Sequence, residues 1–398
     1  MSEREPLGDW LLRTYKQPAP DKREQARLRQ DLDQLEAWLD ASAEGRPRAI
    51  PHVRGSWYAM GQLAPHDLPR VQQLYRRVVA TSGSGKSHVE EELLSLIAGM
   101  FASSAIPFFV ELLDLVVPRD KLAAQRRQLA LAALALLAYR RDDADALAAL
   151  LEATRHDQSQ VRTLAVYYVR TIFFGYADLV LIDDDEPPAM AEDDELPRPR
   201  RAIPPQVIER MDEIATRDPA FESRFMARTF LDAAGQPVPL DRPDNIYAFK
   251  VAFMYAKQIY RVIELRSEQT LEDLHLAIQG AIGWDNDHLY SFFMNGRKWD
   301  ERYRFASPLE EDAPAWTNEA VIGALGLTLK HKFLYYFDYG DSHEFEVEVV
   351  GIGAQAAPGS YPRVVESQGK APAQYEYSEA DDYDDDDYDD DELADNDA

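Results

Sequence analysis

The chain has 398 residues, 45% of them apolar, and a net charge of −28. That length exceeds one ordinary core and implies two folded units with tails. The absence of cysteine excludes disulfide staples, thiolate metal sites and a cysteine nucleophile, and fits a reducing compartment.

The opening Met1-Ser-Glu-Arg-Glu-Pro6 has neither a basic region followed by an apolar one nor an apolar run approaching about 18 residues. A cytoplasmic protein without a membrane segment is expected. Residues 376–398 carry 14 acidic side chains and no Lys or Arg, so half of the net charge belongs to the body of the chain. An acidic body repels phosphate backbones, which disfavours nucleic acid as a partner.

Residues 1–182 read as an all-α, HEAT-like helical-repeat domain. Val161, Leu164, Ala165, Tyr168 and Val169 form one apolar stripe at helical spacing, and Leu129 to Ala138 is apolar all round, as a buried helix requires. Asp157-Gln-Ser-Gln-Val-Arg-Thr-Leu-Ala165 resembles half of a HEAT-type repeat, whose stacked helix pairs bury each other's faces. Such a surface implies a protein partner.

Ala80-Thr-Ser-Gly-Ser-Gly-Lys-Ser87 has the look of a phosphate-binding loop, with Gly85, Lys86 and Ser87 as nucleotide-binding candidates, and Leu179 to Asp184 imitates the strand that would accompany it. Against this, Ala80 stands at the first glycine position, and Val71 to Val79 carries Arg76 and Arg77 where a buried parallel strand is apolar. Ser87 and Glu90 fit an S-x-x-E helix cap instead.

Residues 183–205 form an acidic, proline-rich linker, and residues 206–235 a connecting helical segment. The hydrophobic period then changes from helical to alternating. Residues 240–355 are expected to form a β-grasp-like α+β domain with a helix across one sheet face. Tyr247, Phe249, Val251, Phe253 and Tyr255 alternate along a first strand, with Gln258 to Leu265 as its partner. Thr270 and Asp273 cap a helix striped by Leu271, Leu274 and Ile278 and ended by Gly283. Asn295-Gly296 predicts a hairpin between Leu289 to Met294 and Arg297 to Tyr303, and a short helix is expected near Asn318 to Leu325. Phe333 to Asp338 and Glu344 to Val350 predict a last hairpin, with Phe345, Val347 and Val349 facing inward. Residues 356–398 are read as a disordered acidic tail, whose Tyr375, Tyr377, Tyr383 and Tyr388 permit weak stacking.

His275, Trp284, Asp285, Asp287, His288, Asp338, Asp341 and His343 form a candidate loop site, because carboxylates and imidazoles at one end of a sheet could hold a divalent metal. The structural alternative makes the aspartates turn caps, the tryptophan a plug and the histidine on the helix face a packing residue. No G-x-S-x-G elbow, H-E-x-x-H helix or Rossmann glycine pattern is present, so the catalytic residues and any metal are unassigned and no cofactor is predicted.

Ile259-Tyr-Arg-Val-Ile263, Leu274-His-x-x-Ile-Gln279, Gly283-Trp-x-x-x-His-Leu289 and Phe337-Asp-Tyr-Gly-Asp341 occur in that order. In these motifs, residues 246–352 resemble the Ri-plasmid ORF-three-like family, also called the transposon-passenger TnpR-like family. The resemblance implies a small α+β domain of unsettled biochemical role. His343 departs from the family pattern, which has Trp two residues after the Gly-Asp, and Phe345 stands where some members carry histidine. Two functions follow as expectations: a non-enzymatic interaction or scaffold protein, or a metal-dependent hydrolase or nuclease acting at the 284–288 and 338–343 loops.

Overall fold

The computed structural model describes residues 21–41, 49–53, 63–82, 88–117, 120–174, 201–240, 245–353 and 357–375. A helical region precedes a seven-stranded antiparallel sheet. The first helices are α1 (Lys22–Asp40), α2 (Leu68–Ser82), α3 (His88–Gly99) and α4 (Ile106–Leu113), followed by α5 (Ala123–Arg141), α6 (Ala144–Ala153) and α7 (Ser159–Phe174). Asp21 starts α1 by accepting from the N–H groups of Arg23 and Glu24, which would otherwise have no partner inside the helix.

Helix α5 is the centre of this region. Every residue from Leu129 to Ala138 is buried, as a helix apolar on all sides demands, and α3, α4, α6 and α7 surround it. Arg126 anchors its start: Nε donates to the Tyr75 hydroxyl at 2.8 Å, Nη2 to Glu90 at 3.0 Å, and Nη1 pairs with Asp120. This buried network ties α2, α3 and α5 together. Glu90, the expected cap partner of Ser87, pairs with Arg126, and Ser87 lies outside the described residues.

Helix α8 (Pro205–Arg217) packs on α9 (Phe221–Ala233), which packs on α7. Phe230 meets Phe173 and Phe174 edge to face. Helix α9 also joins the helices to the sheet domain. Arg224 donates Nε and Nη2 to the Gly326 carbonyl at 3.1 and 2.9 Å, and Arg228 reaches the Ala324 carbonyl at 2.9 Å. Phe221 lies 3.9 Å from the His331 ring, and Phe225 packs on Tyr303 and Phe305.

The sheet comprises β1 (Ile246–Phe253), β2 (Ala256–Arg266), β3 (Tyr290–Phe293), β4 (Arg304–Ala306), β5 (Lys332–Phe337), β6 (His343–Gly353) and β7 (Arg363–Gln368), in the order β4-β3-β5-β6-β1-β2-β7. Alternation places Phe249, Val251, Phe345, Val347, Phe333 and Tyr335 in the main core. Helix α10 (Leu271–Ile282) presents Leu271, Leu274 and Ile278 to the same core. Its ends match the expectation: Thr270 and Asp273 form a reciprocal cap, and Gly283 ends the helix at φ 76°.

Four local expectations need correction. Tyr255 lies beyond the end of β1, 67% exposed in the turn, because the register shifts after Ala252. Asn295-Gly296 does turn the chain, but the strand paired with β3 is Arg304–Ala306; Asn295 bonds Asp300, and a 3-10 turn at Glu301–Tyr303 comes first. The helix near Asn318 to Leu325 is a single 3-10 turn, Ile322–Ala324. The sheet also continues past 355 into β7, inside the span read as tail. β7 pairs with β2 through a bulge and is exposed along most of its length, so it carries no alternating signal. No described helix is long and apolar enough to cross a membrane.

Candidate functional site

The eight candidate residues occupy one end of the sheet but divide into three environments. His275, on α10, is 1% exposed and stacks on Tyr290 with ring centroids 3.5 Å apart. Its Nδ1 is 2.8 Å from the Tyr335 hydroxyl and its Nε2 is 2.7 Å from Asn286 Oδ1, while Gln279 Nε2 donates to the same hydroxyl at 2.7 Å. One proton arrangement satisfies the chain: Gln279 donates to Tyr335, Tyr335 to Nδ1, and Nε2–H to Asn286. Burial pushes His275 down to about 4, against the upward pull of Asn286. Both nitrogens are therefore committed to structure.

Trp284 is a plug. It packs on Phe253, Phe337 and Phe345 and donates Nε1–H to the Pro372 carbonyl at 3.0 Å. Beside it, Gln374 brackets the loop, its Oε1 accepting from Asp285 N–H at 2.6 Å and its Nε2 donating to Asp287 Oδ1 at 2.9 Å. Tyr375 donates to Asp287 Oδ2 at 2.5 Å and lies 3.1 Å from His288 Nε2. The hydrogen bond from Tyr375 holds the Asp287 carboxyl below its ordinary range, and the same bond pushes the Tyr375 phenol up to about 12.

The third environment is the β5–β6 turn. Asp338, 6% exposed at φ 56°, accepts from the N–H groups of Gly340 and Asp341 at 2.9 and 3.2 Å through Oδ1. Its Oδ2 faces His288 Nε2 at 3.4 Å. Asp338, Asp341 and His343 each offer a ligand atom within 4.8 Å of the others. His343 packs 4.5 Å from Trp284, and its Nε2 is buried without a hydrogen-bond partner among the described residues.

Thus Asp338, Asp341 and His343 converge, His288 touches the edge of the group, and His275, Trp284, Asp285 and Asp287 serve the surrounding structure. Asn286, Tyr335, Gln374 and Tyr375 join the site as partners that were not among the expected residues. The i, i+4 spacing of His275 and Gln279 in the Leu-His-x-x-Ile-Gln motif was a usable signal for the buried network, since it puts both polar side chains on the face that carries the helix's apolar stripe.

Gly85, Lys86 and Ser87, together with Leu179 to Asp184, lie outside the described residues. The segment needed as a strand before the supposed phosphate loop, Val71 to Val79, is part of α2, and the chain after it, from His88 to Phe174, forms helices with no strand among the described residues. A parallel nucleotide-binding sheet has no place there.

A cleft of about 410 Å³ was not anticipated. It lies where the α6–α7 loop meets α8, lined by Arg155, Arg162, Arg210 and Arg217 together with His156, Asp157, Glu213 and Asp218. Arg162 is fixed by a two-point pair with Asp218 at 2.8 and 3.1 Å, and Arg210 by Thr154 and Glu213. Arg155 and Arg217 are the more exposed pair at its rim.

No curated protein matches the chain. A solved structure, a protein of unknown function, MM3350, from Methanosarcina mazei Go1, matches with 25% identity and a TM-score of 0.29, covering 33% of this chain and 73% of that one. The family described as plasmid pRiA4b ORF-3-like protein matches residues 245–384. That span takes in the sheet, its crossing helix, the His275 network and the converging turn, so residues 245–384 carry a plasmid pRiA4b ORF-3-like domain.

Proposed function

We propose that the protein is a non-enzymatic interaction or scaffold protein carrying a transposon-passenger TnpR-like domain, and that its helical layer holds an acidic segment of a protein partner. The supporting observation is the arginine-lined cleft on a chain of net charge −28. Two of its guanidinium groups are preorganised by Asp218, Thr154 and Glu213, and fixed donors lose less freedom on binding. Arg155 and Arg217 supply the outer charge that steers an anionic segment inward. The local cluster of four arginines, not the net charge, attracts such a segment, and the absence of cysteine fits a reducing, cytoplasmic setting.

Consecutive helices α5, α6 and α7 packed on one another support a HEAT-like reading of the helical region, and α10 packed on one sheet face supports a β-grasp-like reading of the sheet domain. The alternative, a metal-dependent hydrolase or nuclease at the 284–288 and 338–343 loops, needs a base free beside the ion. Asp287 is held by Gln374 and Tyr375, and His275 has no free nitrogen, which weighs toward the interaction reading. Affinity purification of the full chain alongside an Arg155→Glu/Arg217→Glu variant tests this. A partner retained by the first and lost by the second supports the reading, and retention by both contradicts it.

A further inference from the structure

The β5–β6 turn contains a donor set that the interaction reading does not use. Asp338 and Asp341 contribute carboxylates and His343 an imidazole, each with a ligand atom within 4.8 Å of the others. We propose that Asp338, Asp341 and His343 form a divalent-cation site of zinc type, distinct from the arginine cleft.

Three observations carry this. The buried Asp338 carboxylate is already oriented: Oδ1 is tied to the Gly340 and Asp341 N–H groups, which leaves Oδ2 as its outward ligand atom. Backbone donors of this kind are the usual outer partners of a ligating carboxylate. His343 is seated against Trp284 and has a buried Nε2 with no hydrogen-bond partner among the described residues. A buried nitrogen without a partner costs on the order of 1–3 kcal/mol, and coordination of an ion through it offsets that cost. The third is mixed chemistry. An imidazole beside two carboxylates suits zinc, cobalt or manganese, whereas calcium takes oxygen ligands alone.

The spacing permits closure. Two ligands of a tetrahedral ion at about 2.1 Å lie about 3.4 Å apart. The ligand atoms of Asp338, Asp341 and His343 lie within 4.8 Å of one another, so side-chain rotation draws them onto one ion, and Asp341 is exposed. His288, 3.4 Å from Asp338 Oδ2, stands where it can stabilise that carboxylate or approach the ion itself.

The test is zinc titration of the metal-stripped full chain by calorimetry, with millimolar magnesium present to occupy the many exposed carboxylates. Asp341→Asn and His343→Ala are titrated in parallel. Asp341 is exposed and its side chain caps no turn among the described residues, so Asp341→Asn reads out the site even where His343→Ala disturbs packing against Trp284. The expected result is one zinc per chain for the unaltered protein, with affinity reduced at least about tenfold by Asp341→Asn and by a folded His343→Ala. Only weak, multiple binding, or one-site binding unchanged by Asp341→Asn, overturns the proposal.

Discussion

The His275 Nδ1 and the Tyr335 hydroxyl lie 2.8 Å apart where α10 meets the sheet, in a buried setting that favours the neutral imidazole. Burial holds His275 at about 4, below its ordinary value near 6.5. The neutral form is favoured in the folded state, so the unfolded chain binds more protons between those values. Stability from this group is complete above about pH 6.5 and is lost as the pH falls through about 4, a difference of roughly 3 kcal/mol. NMR titration of the histidine rings should find one that remains neutral at pH 5, assigned to His275 by its absence from a His275→Gln variant.

Arg126 is 2% exposed among Tyr75, Glu90 and Asp120. Removing it leaves two carboxylates buried without their cation. Arg126→Ala should cost about 3–5 kcal/mol, read as a lower urea midpoint. A loss within 1 kcal/mol would mean that water replaces the guanidinium.

The Arg224 link between α9 and the Gly326 carbonyl joins the helical region to the sheet. Arg224→Met keeps much of the side-chain volume and removes every donor. A cost of about 1.5–3 kcal/mol is expected. Because the cost falls on the junction, hydrogen exchange should rise around 323–328 and in α9 while the α5 amides stay protected.

Tyr375→Phe removes the hydroxyl that Asp287 accepts at 2.5 Å. The Asp287 carboxyl should titrate at higher pH than in the unaltered protein, since its main stabilising hydrogen bond is gone. Both groups are at the surface, so the melting temperature should hardly move. Carboxyl-detected NMR titration distinguishes this from an Asp287 indifferent to residue 375.

Much of the sheet domain was legible because its signals are local. Thr270, Asp273 and Gly283 mark both ends of α10, and alternation at Phe345, Val347 and Val349 assigns the inner face of β6. β7 was not legible: its bulge against β2 and its exposure on both faces leave no period to detect. Neither was the small second core, where Phe293, Leu334 and Tyr336 are buried on the opposite sheet face, so that β5 is apolar throughout rather than alternating. Among the site residues, turn chemistry pointed to the Asp338 cap, but the partners of Asp287 come from nearly ninety positions away and only folding brings them together. The arginine cleft was illegible for the same reason. Arg155 and Arg217 belong to separate helical segments on either side of an acidic stretch, and neither stands out within a net-negative sequence.

The central claim is tested most directly by fluorescence anisotropy of a labelled Asp/Glu-rich peptide titrated with the full-length protein and with Arg155→Glu/Arg217→Glu. The account predicts saturable binding that weakens as salt is raised from about 0.05 to 0.5 M, because exposed charges are increasingly screened. It also predicts at least about a tenfold loss in the double variant. Absence of binding at low salt, or equal affinity for the two proteins, would contradict it.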